Sequence, residues 1–376
     1  MSVKVTVPAR INILGNPTDA NEGDFATISA AVDIRAGATL KRSNNILLES
    51  KRSEGVDKIT CPRQKLEAKD IPLAYDGQLD LIKASLNSLH TFSEEFRSKL
   101  HVDGVHITTW TDVPAQSGLG GSSLLVLLTL AGLRQFYGLH PGVHNDYVIS
   151  ELAQRVESAE LGITCGFADR YVPLFGGIAY IDYRGKLHQR GIGRDPYATY
   201  ERLDNWVPSL PLALVSSGIS RDSGDVHGKM RPRYMEEHAE WEKNGGNVPT
   251  MLKLMRKVWE TAWKGKTSLL SGNWQECGAL MNQNHQLVDK MMTYCGFQDG
   301  AGWANNLLIH SALKNGALGA KLTGAGGGGS VFALTQPGDE QRIGDAISQT
   351  AKDAGLIDAK VYLPRLSRKG LIVKVN

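Results

Sequence analysis

Residues 113–128 read VPAQSGLGGSSLLVLL, a glycine-rich turn that runs straight into an apolar helix. The first turn of such a helix has free backbone N–H groups and the positive end of the helix dipole. Phosphate binds well there, and glycines let the backbone wrap an anion without Cβ clashes. The cradle these considerations pick out is Pro114, Gln116, Ser117, Gly118, Leu119, Gly120, Gly121, Ser122 and Ser123. Ser122 and Ser123 open the helix and offer hydroxyls to a phosphate or to Mg²⁺. Taken alone, the stretch also reads as a capped, buried helix after a loop. It is not a Walker A loop, because no G-K-[ST] closes it.

Three further stretches share its character. The chain holds 41 glycines in 376 residues, above the average of about 7%, and they cluster. In 321-KLTGAGGGGSVFAL-334 five glycines lie within six residues between two apparent strands. A hairpin needs only two special residues, so this run predicts close approach to a ligand or to another loop, with Gly326 and Gly327 on the substrate side. In 8-PARINILGNPTDANEG-23, Arg10 ends a strand, and Asn16 and Asp19 lie in a turn where side chains can reach a ligand. Considered singly, Asp19 reads as an Asx-turn residue and Arg10 as half of a surface ion pair. In 157-ESAELGITCGFADRYVPLFGG-177, Asp169 follows a Gly-rich loop and precedes an apolar segment, where a carboxylate needs a partner or a purpose; helix capping is its plain alternative.

The remaining pattern is mixed. Alternation predicts strands at 3–7 and 105–110. Apolar runs predict strands at 25–32, 178–183, 211–217, 318–323, 330–335 and 358–363, the last closing the chain. Helices are expected from 79 to 89, at 122–138 and 146–160, and near 232–245, 250–271, 273–292, 303–315 and 339–354. A chain this long makes two domains, with the polar stretch near 195–209 as the boundary: residues 1–205 and 206–376.

Composition excludes several classes. Hydrophobic residues are 41% and charged residues 22%, and 42 basic against 39 acidic side chains leave a net charge of +3. Nothing there points to nucleic acid or to a membrane surface. No apolar run approaches the ~20 residues of a membrane span, and MSVKVTVPAR lacks the apolar core of a signal peptide. Cys61, Cys165, Cys277 and Cys295 form no C-x-x-C pair, so neither a zinc ribbon nor a redox motif is expected. The expected location is the cytoplasm.

Three glycine-rich motifs in this order resemble the GHMP kinases, the superfamily of galactokinase, homoserine kinase and mevalonate kinase. PARINILGNPTD resembles the first family motif. PAQSGLGGSSLL resembles the second, with Gly121 where serine is frequent, and KLTGAGGGGSVFAL resembles the third. The likeness runs from residue 3 to about residue 335. It implies an α+β fold of two domains: an N-terminal one with a left-handed β-α-β unit, against the usual rule, and a ferredoxin-like C-terminal one. It implies ATP in the cleft with Mg²⁺, the ion contacted by Ser122 and by Glu157, with Glu160 as competitor. It also implies a catalytic Asp169 accompanied by Arg10.

The acceptor is read from the first motif. An aspartate accepts two hydroxyl donors, as a vicinal diol presents them, so Asp19 favours a sugar. G-N-P-T-D together with ELGITCGFADR is similar to glucuronokinases, which phosphorylate the anomeric hydroxyl of a uronic acid. Arg221 is the residue to pair with an acceptor carboxylate or phosphate. Alternatives are a mevalonate-type kinase, a galactokinase or sugar-phosphate kinase, and a silent sugar- and ATP-sensing homologue. The expected partner is a small sugar-like acceptor, and the assembly a monomer or homodimer.

Overall fold

The computed structural model describes residues 2–20, 25–54, 58–60, 62–114, 116–186, 192, 197–220 and 223–376; Arg221 lies outside them. β1 (Ser2–Leu14) opens the chain. Its first residues alternate, with Val3, Val5 and Val7 buried and Lys4 exposed, as a strand with one covered face requires. From Val7 to Leu14 every residue is buried, because helices cover both faces there. Arg10 therefore lies within the strand, not at its end as the sequence suggested. β2 (Ala26–Ser43) pairs with β1 along almost its whole length, with register shifts at Pro8/Ala9 and Asn12/Leu14.

Next come β3 (Ile46–Glu54), β4 (Lys58–Thr60), β5 (Arg63–Leu66), α1 (Asp80–Phe92), α2 (Glu94–Val102) and β6 (Gly104–Thr111). β3 and β6 are parallel neighbours, so the chain crosses over through α1 and α2 between them. α3 (Gly121–Phe136) is the buried axis of this half: from Ser123 to Phe136 only Gln135 escapes burial. It packs on β1, β2, α1 and α4 (Asp146–Arg155). The helix expected over 146–160 changes character at Val156, where a π-helical turn runs to Glu160. Such a turn adds a residue to the repeat and re-aims side chains, commonly at functional sites. α5 (Ala168–Phe175), β7 (Ile178–Asp182) and β8 (Thr199–Arg202) complete the first nine-stranded sheet with one late addition.

β9 (Leu212–Ser216) begins a second sheet. α6 (Ser223–Asn244), α7 (Thr250–Leu270), α8 (Trp274–Tyr294) and α9 (Trp303–Lys314) follow, then β10 (Gly319–Thr323), β11 (Ser330–Leu334), α10 (Glu340–Asp353) and β12 (Lys360–Tyr362). All pairings are antiparallel in the order β10-β11-β9-β12. Leaving aside the inserted helices α6–α8, this is a β-α-β-β-α-β unit of ferredoxin-like order. α6 starts nine residues before the expected 232, because the helix continues through Pro232 rather than starting at it. The sequence reading also stopped too soon. A closing strand, β13 (Ile372–Val375), returns to pair with β1, Val3 opposite Val375. Its residues are half-exposed at the sheet edge, so no strong apolar run announces it. Among the described residues no helix is long and apolar enough to cross a membrane.

Candidate functional site

Arg10 is the hub. Held in the middle of β1 and 3% exposed, it donates from Nε to Asp169 Oδ1 at 2.5 Å and from Nη1 to the carbonyl of Gly118. One guanidinium thus joins the first turn of α5 to the turn that precedes α3. That turn winds through positive φ at Gln116, Gly118 and Gly120, and Gly120 caps α3 with no side chain on its N–H groups. The donors at the mouth of α3 are left for an anion. Ser122 is exposed there, while Ser123 is buried.

Asp169 keeps 22% of its side chain accessible. Burial opposes its ionisation, but the bonded Arg10 guanidinium and the nearby Arg170 outweigh it and hold the carboxyl at about 2. Asp19 lies alongside. Its Oδ2 accepts from the backbone N–H groups of Phe167 and Ala168, both at 3.0 Å, at the N-terminus of α5. A carboxylate is favoured at that end of a helix. Burial, then the charge of Asp169, raises the Asp19 pKa against these bonds.

Glu157 sits in the π-helical turn, 3% exposed, and its Oε2 accepts from Ser123 Oγ at 2.9 Å and from Arg170 Nη2. Glu160 instead accepts from the Tyr75 hydroxyl at the surface. Arg170, 1% exposed, also donates from Nη1 to the Gly166 carbonyl at 2.7 Å. Among the described residues no three His, Cys, Asp or Glu side chains gather into a cage. The hydroxyl bonded to Glu157 is that of Ser123, not Ser122; one carboxylate and one hydroxyl form the sparse ligand set of an ion that keeps its waters.

The third glycine run meets the second rather than a cavity. Gly118 has φ +72°, and a Cβ on it would stand 2.5 Å from the carbonyl oxygen of Thr323. Gly324 has φ +84°, and a Cβ there would lie 2.7 Å from Gly118 Cα. Gly326 is buried beside Met292, and Gly327 donates its N–H to Ala301 at 2.8 Å. Both are packed against α8 and the segment before α9. Asn16 also turns inward. It is 1% exposed, with Oδ1 accepting from Lys321 Nζ at 2.7 Å and Nδ2 donating to Gly324 O at 3.3 Å. Both ends of the amide, which the sequence reading put on the acceptor, are engaged with the third motif.

Two neighbours of Asp169 were missed. Arg170 follows it directly, and the D-R pair was the available signal. His227 on α6 is the other. Burial pulls its imidazole down to about 4 against the opposing charge of Asp169, so it is neutral at pH 7. α6 is anchored by Val226, Met230 and Tyr234, and no local motif marks His227.

Residues 81–177 match the family described as GHMP kinases N terminal domain, and residues 306–353 match GHMP kinases C terminal. Over 336 residues the chain is 30% identical to probable glucuronokinase 2 of Arabidopsis thaliana, covering 88% of this chain and 84% of that protein. The chain belongs to the GHMP kinases. This GHMP kinase is also 25% identical to the D-glycero-alpha-D-manno-heptose 7-phosphate kinase of Campylobacter jejuni, over 89% of this chain and 90% of that one. Its fold is shared with the galactokinase of Lactococcus lactis solved with galactose, at a TM-score of 0.74, 20% identity and coverage of 99% and 95%.

Proposed function

We propose that this GHMP kinase transfers the γ-phosphoryl group of ATP to the anomeric hydroxyl of a sugar or uronic acid, with glucuronate as the first acceptor to test. The observation that carries the reading is the two-way grip of Arg10 on Asp169 and on the Gly118 carbonyl. On this reading the carboxylate, the cation and the mouth of α3 surround one space. The amides and hydroxyls of residues 116–123 would take the triphosphate. Asp19, one oxygen bound to α5, would accept sugar hydroxyls with the other.

A carboxyl held at about 2 is a weak proton acceptor at pH 7. Asp169 therefore orients the attacking hydroxyl and stabilises its positive charge as the O–P bond forms. Arg10 offsets charge on the transferring group, and such transfers depend mainly on positioning and charge neutralisation. Ser122 and Glu157 would hold Mg²⁺, which when bound neutralises phosphate charge. Phosphate oxygens and waters would complete its shell. We place the division between the two lobes near residue 205, supported by β8 in the larger sheet and β9 in the smaller, with β13 returned to the first lobe.

The test is an ADP-release screen over neutral sugars, uronic acids, sugar phosphates and mevalonate. The reading expects glucuronate or another free sugar to give the highest kcat/KM. Turnover confined to mevalonate would contradict it, as would tight sugar and ATP binding without any ADP release.

A further inference from the structure

Residues 321–324 touch the acceptor turn and the phosphate turn at once. Lys321 is fully buried at 0% exposure, and its Nζ donates to Asn12 O at 2.9 Å, Asn16 Oδ1 at 2.7 Å and Leu322 O at 2.8 Å. Three acceptors use all three donors of an ammonium. Thr323 Oγ1 accepts from the Asn12 N–H at 3.3 Å and reaches Gly118 O at 3.5 Å. Gly324 accepts from Asn16 and lies backbone to backbone on Gly118. From α8, Asn284 completes the clamp: it accepts from the Gly15 N–H at 2.8 Å and donates to Asn16 O at 3.1 Å. Asn12 and Asn16 flank the corner that leads to Asp19. Gly118 O is the same oxygen that Arg10 holds.

Among the described residues no carboxylate pairs with Lys321. Burial, and after it the like charge of Arg10, presses the ammonium pKa well below the ordinary value. A buried cation without a counter-ion is a cost that a methionine of similar length would avoid. What the lysine supplies is two directed bonds from the second lobe onto the first motif, with its third donor on the neighbouring Leu322 carbonyl.

We propose that Lys321, assisted by Thr323, is a positioning residue that fixes the separation of the acceptor turn from the phosphate turn. The proposal rests on the kinase reading above. In-line transfer requires reacting atoms about 3–3.5 Å apart, and a misplacement of about 1 Å costs on the order of 10²-fold. A hydroxyl held off the line also leaves the γ-phosphorus open to water. Water then forms the new O–P bond, the bond to ADP breaks, and orthophosphate with a released proton replaces the sugar phosphate.

The experiment measures Lys321→Met and Thr323→Val with saturating ATP and D-glucuronate, counting ADP released against sugar phosphate formed. For Lys321→Met the expected result is a loss in kcat of about 100-fold, with both KM values within about 3-fold. More than one ADP should appear per sugar phosphorylated. Thr323→Val should move the same way by about 5-fold, the scale of one lost hydrogen bond. A kcat near wild type, or a loss with one-to-one stoichiometry as a reduced folded fraction gives, would overturn the proposal. Should Lys321→Met not fold, the stoichiometry of Thr323→Val decides alone, and one-to-one coupling at wild-type kcat rejects the idea. Wild-type protein that releases no ADP with glucuronate but does so with mevalonate would fail the acceptor reading. The two variants are then scored on mevalonate by the same criteria.

Discussion

The second and third glycine runs look alike in sequence and do different work. Residues 116–121 turn through positive φ and end at Gly120, leaving the first N–H groups of α3 without a side-chain cap. Residues 324–329 turn through positive φ as well, yet their backbone lies on the first run: Gly324 against Gly118, and Gly329 against Ser117. Glycine density reports that something comes close to the backbone. It does not report whether the neighbour is a ligand or another loop. Here one run leaves the start of α3 without a side-chain cap, and the other packs against it.

The largest effect expected from this contrast is on chemistry. Asp169→Asn, at the carboxylate tied to the first run through Arg10, should lower kcat by about 10²–10³-fold, the scale of one lost electrostatic stabiliser. Nucleotide affinity, measured by titration, should stay within about 3-fold. Turnover close to wild type would remove Asp169 from the reaction.

Arg10→Met comes next. Without the guanidinium the Asp169 carboxyl rises from about 2, by about 1–3 pH units, so the acid limb of kcat/KM should move up in pH. The same linkage acts on stability. Because the folded value lies below the ordinary carboxylate range, the contribution of Asp169 is complete above that range. It drains away as pH falls towards 2, and urea titrations of wild type and variant across pH 5 to 3 should show the variant losing less. An acid limb that stays in place would break the link between the two groups.

A matched pair of substitutions sharpens the comparison itself. Gly120 and Gly324 share φ +84°, but a Cβ on Gly120 meets nothing nearer than Arg10 at 3.7 Å, whereas on Gly324 it strikes Gly118 at 2.7 Å. Both alanine variants bear the left-handed strain of about 1–2 kcal/mol. Gly324→Ala should lose about 1–3 kcal/mol more, read as a lower urea midpoint. Equal losses would mean that the third run is not a brace. Smallest is Ser122→Ala, which should raise the Mg²⁺ concentration for half-maximal activity a few-fold, about one weak ligand contact, whereas Ser330→Ala in the other run should leave it unchanged.

Much of the fold was legible because it rests on local pattern. The alternation of Val3, Val5 and Val7, the mostly apolar 123–133 and the glycine punctuation locate β1, α3 and the turns. β13 was missed because an edge strand with Lys374 facing out carries little periodicity. At the site, Arg10 and Asp169 were readable from motif order although 159 residues separate them. Asn16, Gly326 and Gly327 meet other parts of the fold, contacts that the sequence does not distinguish from contacts with a ligand. Residues beside a ligand loop share its composition, and only tertiary packing shows whether an amide points at the cleft or at Lys321. His227 feels the charge of Asp169 from a helix of the other half, an influence that no local spacing encodes.

The central claim is that one pocket serves both substrates around Arg10. It is tested most directly by a crystal structure with a non-hydrolysable ATP analogue and glucuronate bound together. The account predicts the phosphates on the amides of residues 117–123 and the anomeric oxygen within hydrogen-bond reach of Asp169, about 3 Å, and in line with the γ-phosphorus. Triphosphate and sugar bound apart, with Arg10 and Asp169 touching neither, would contradict it.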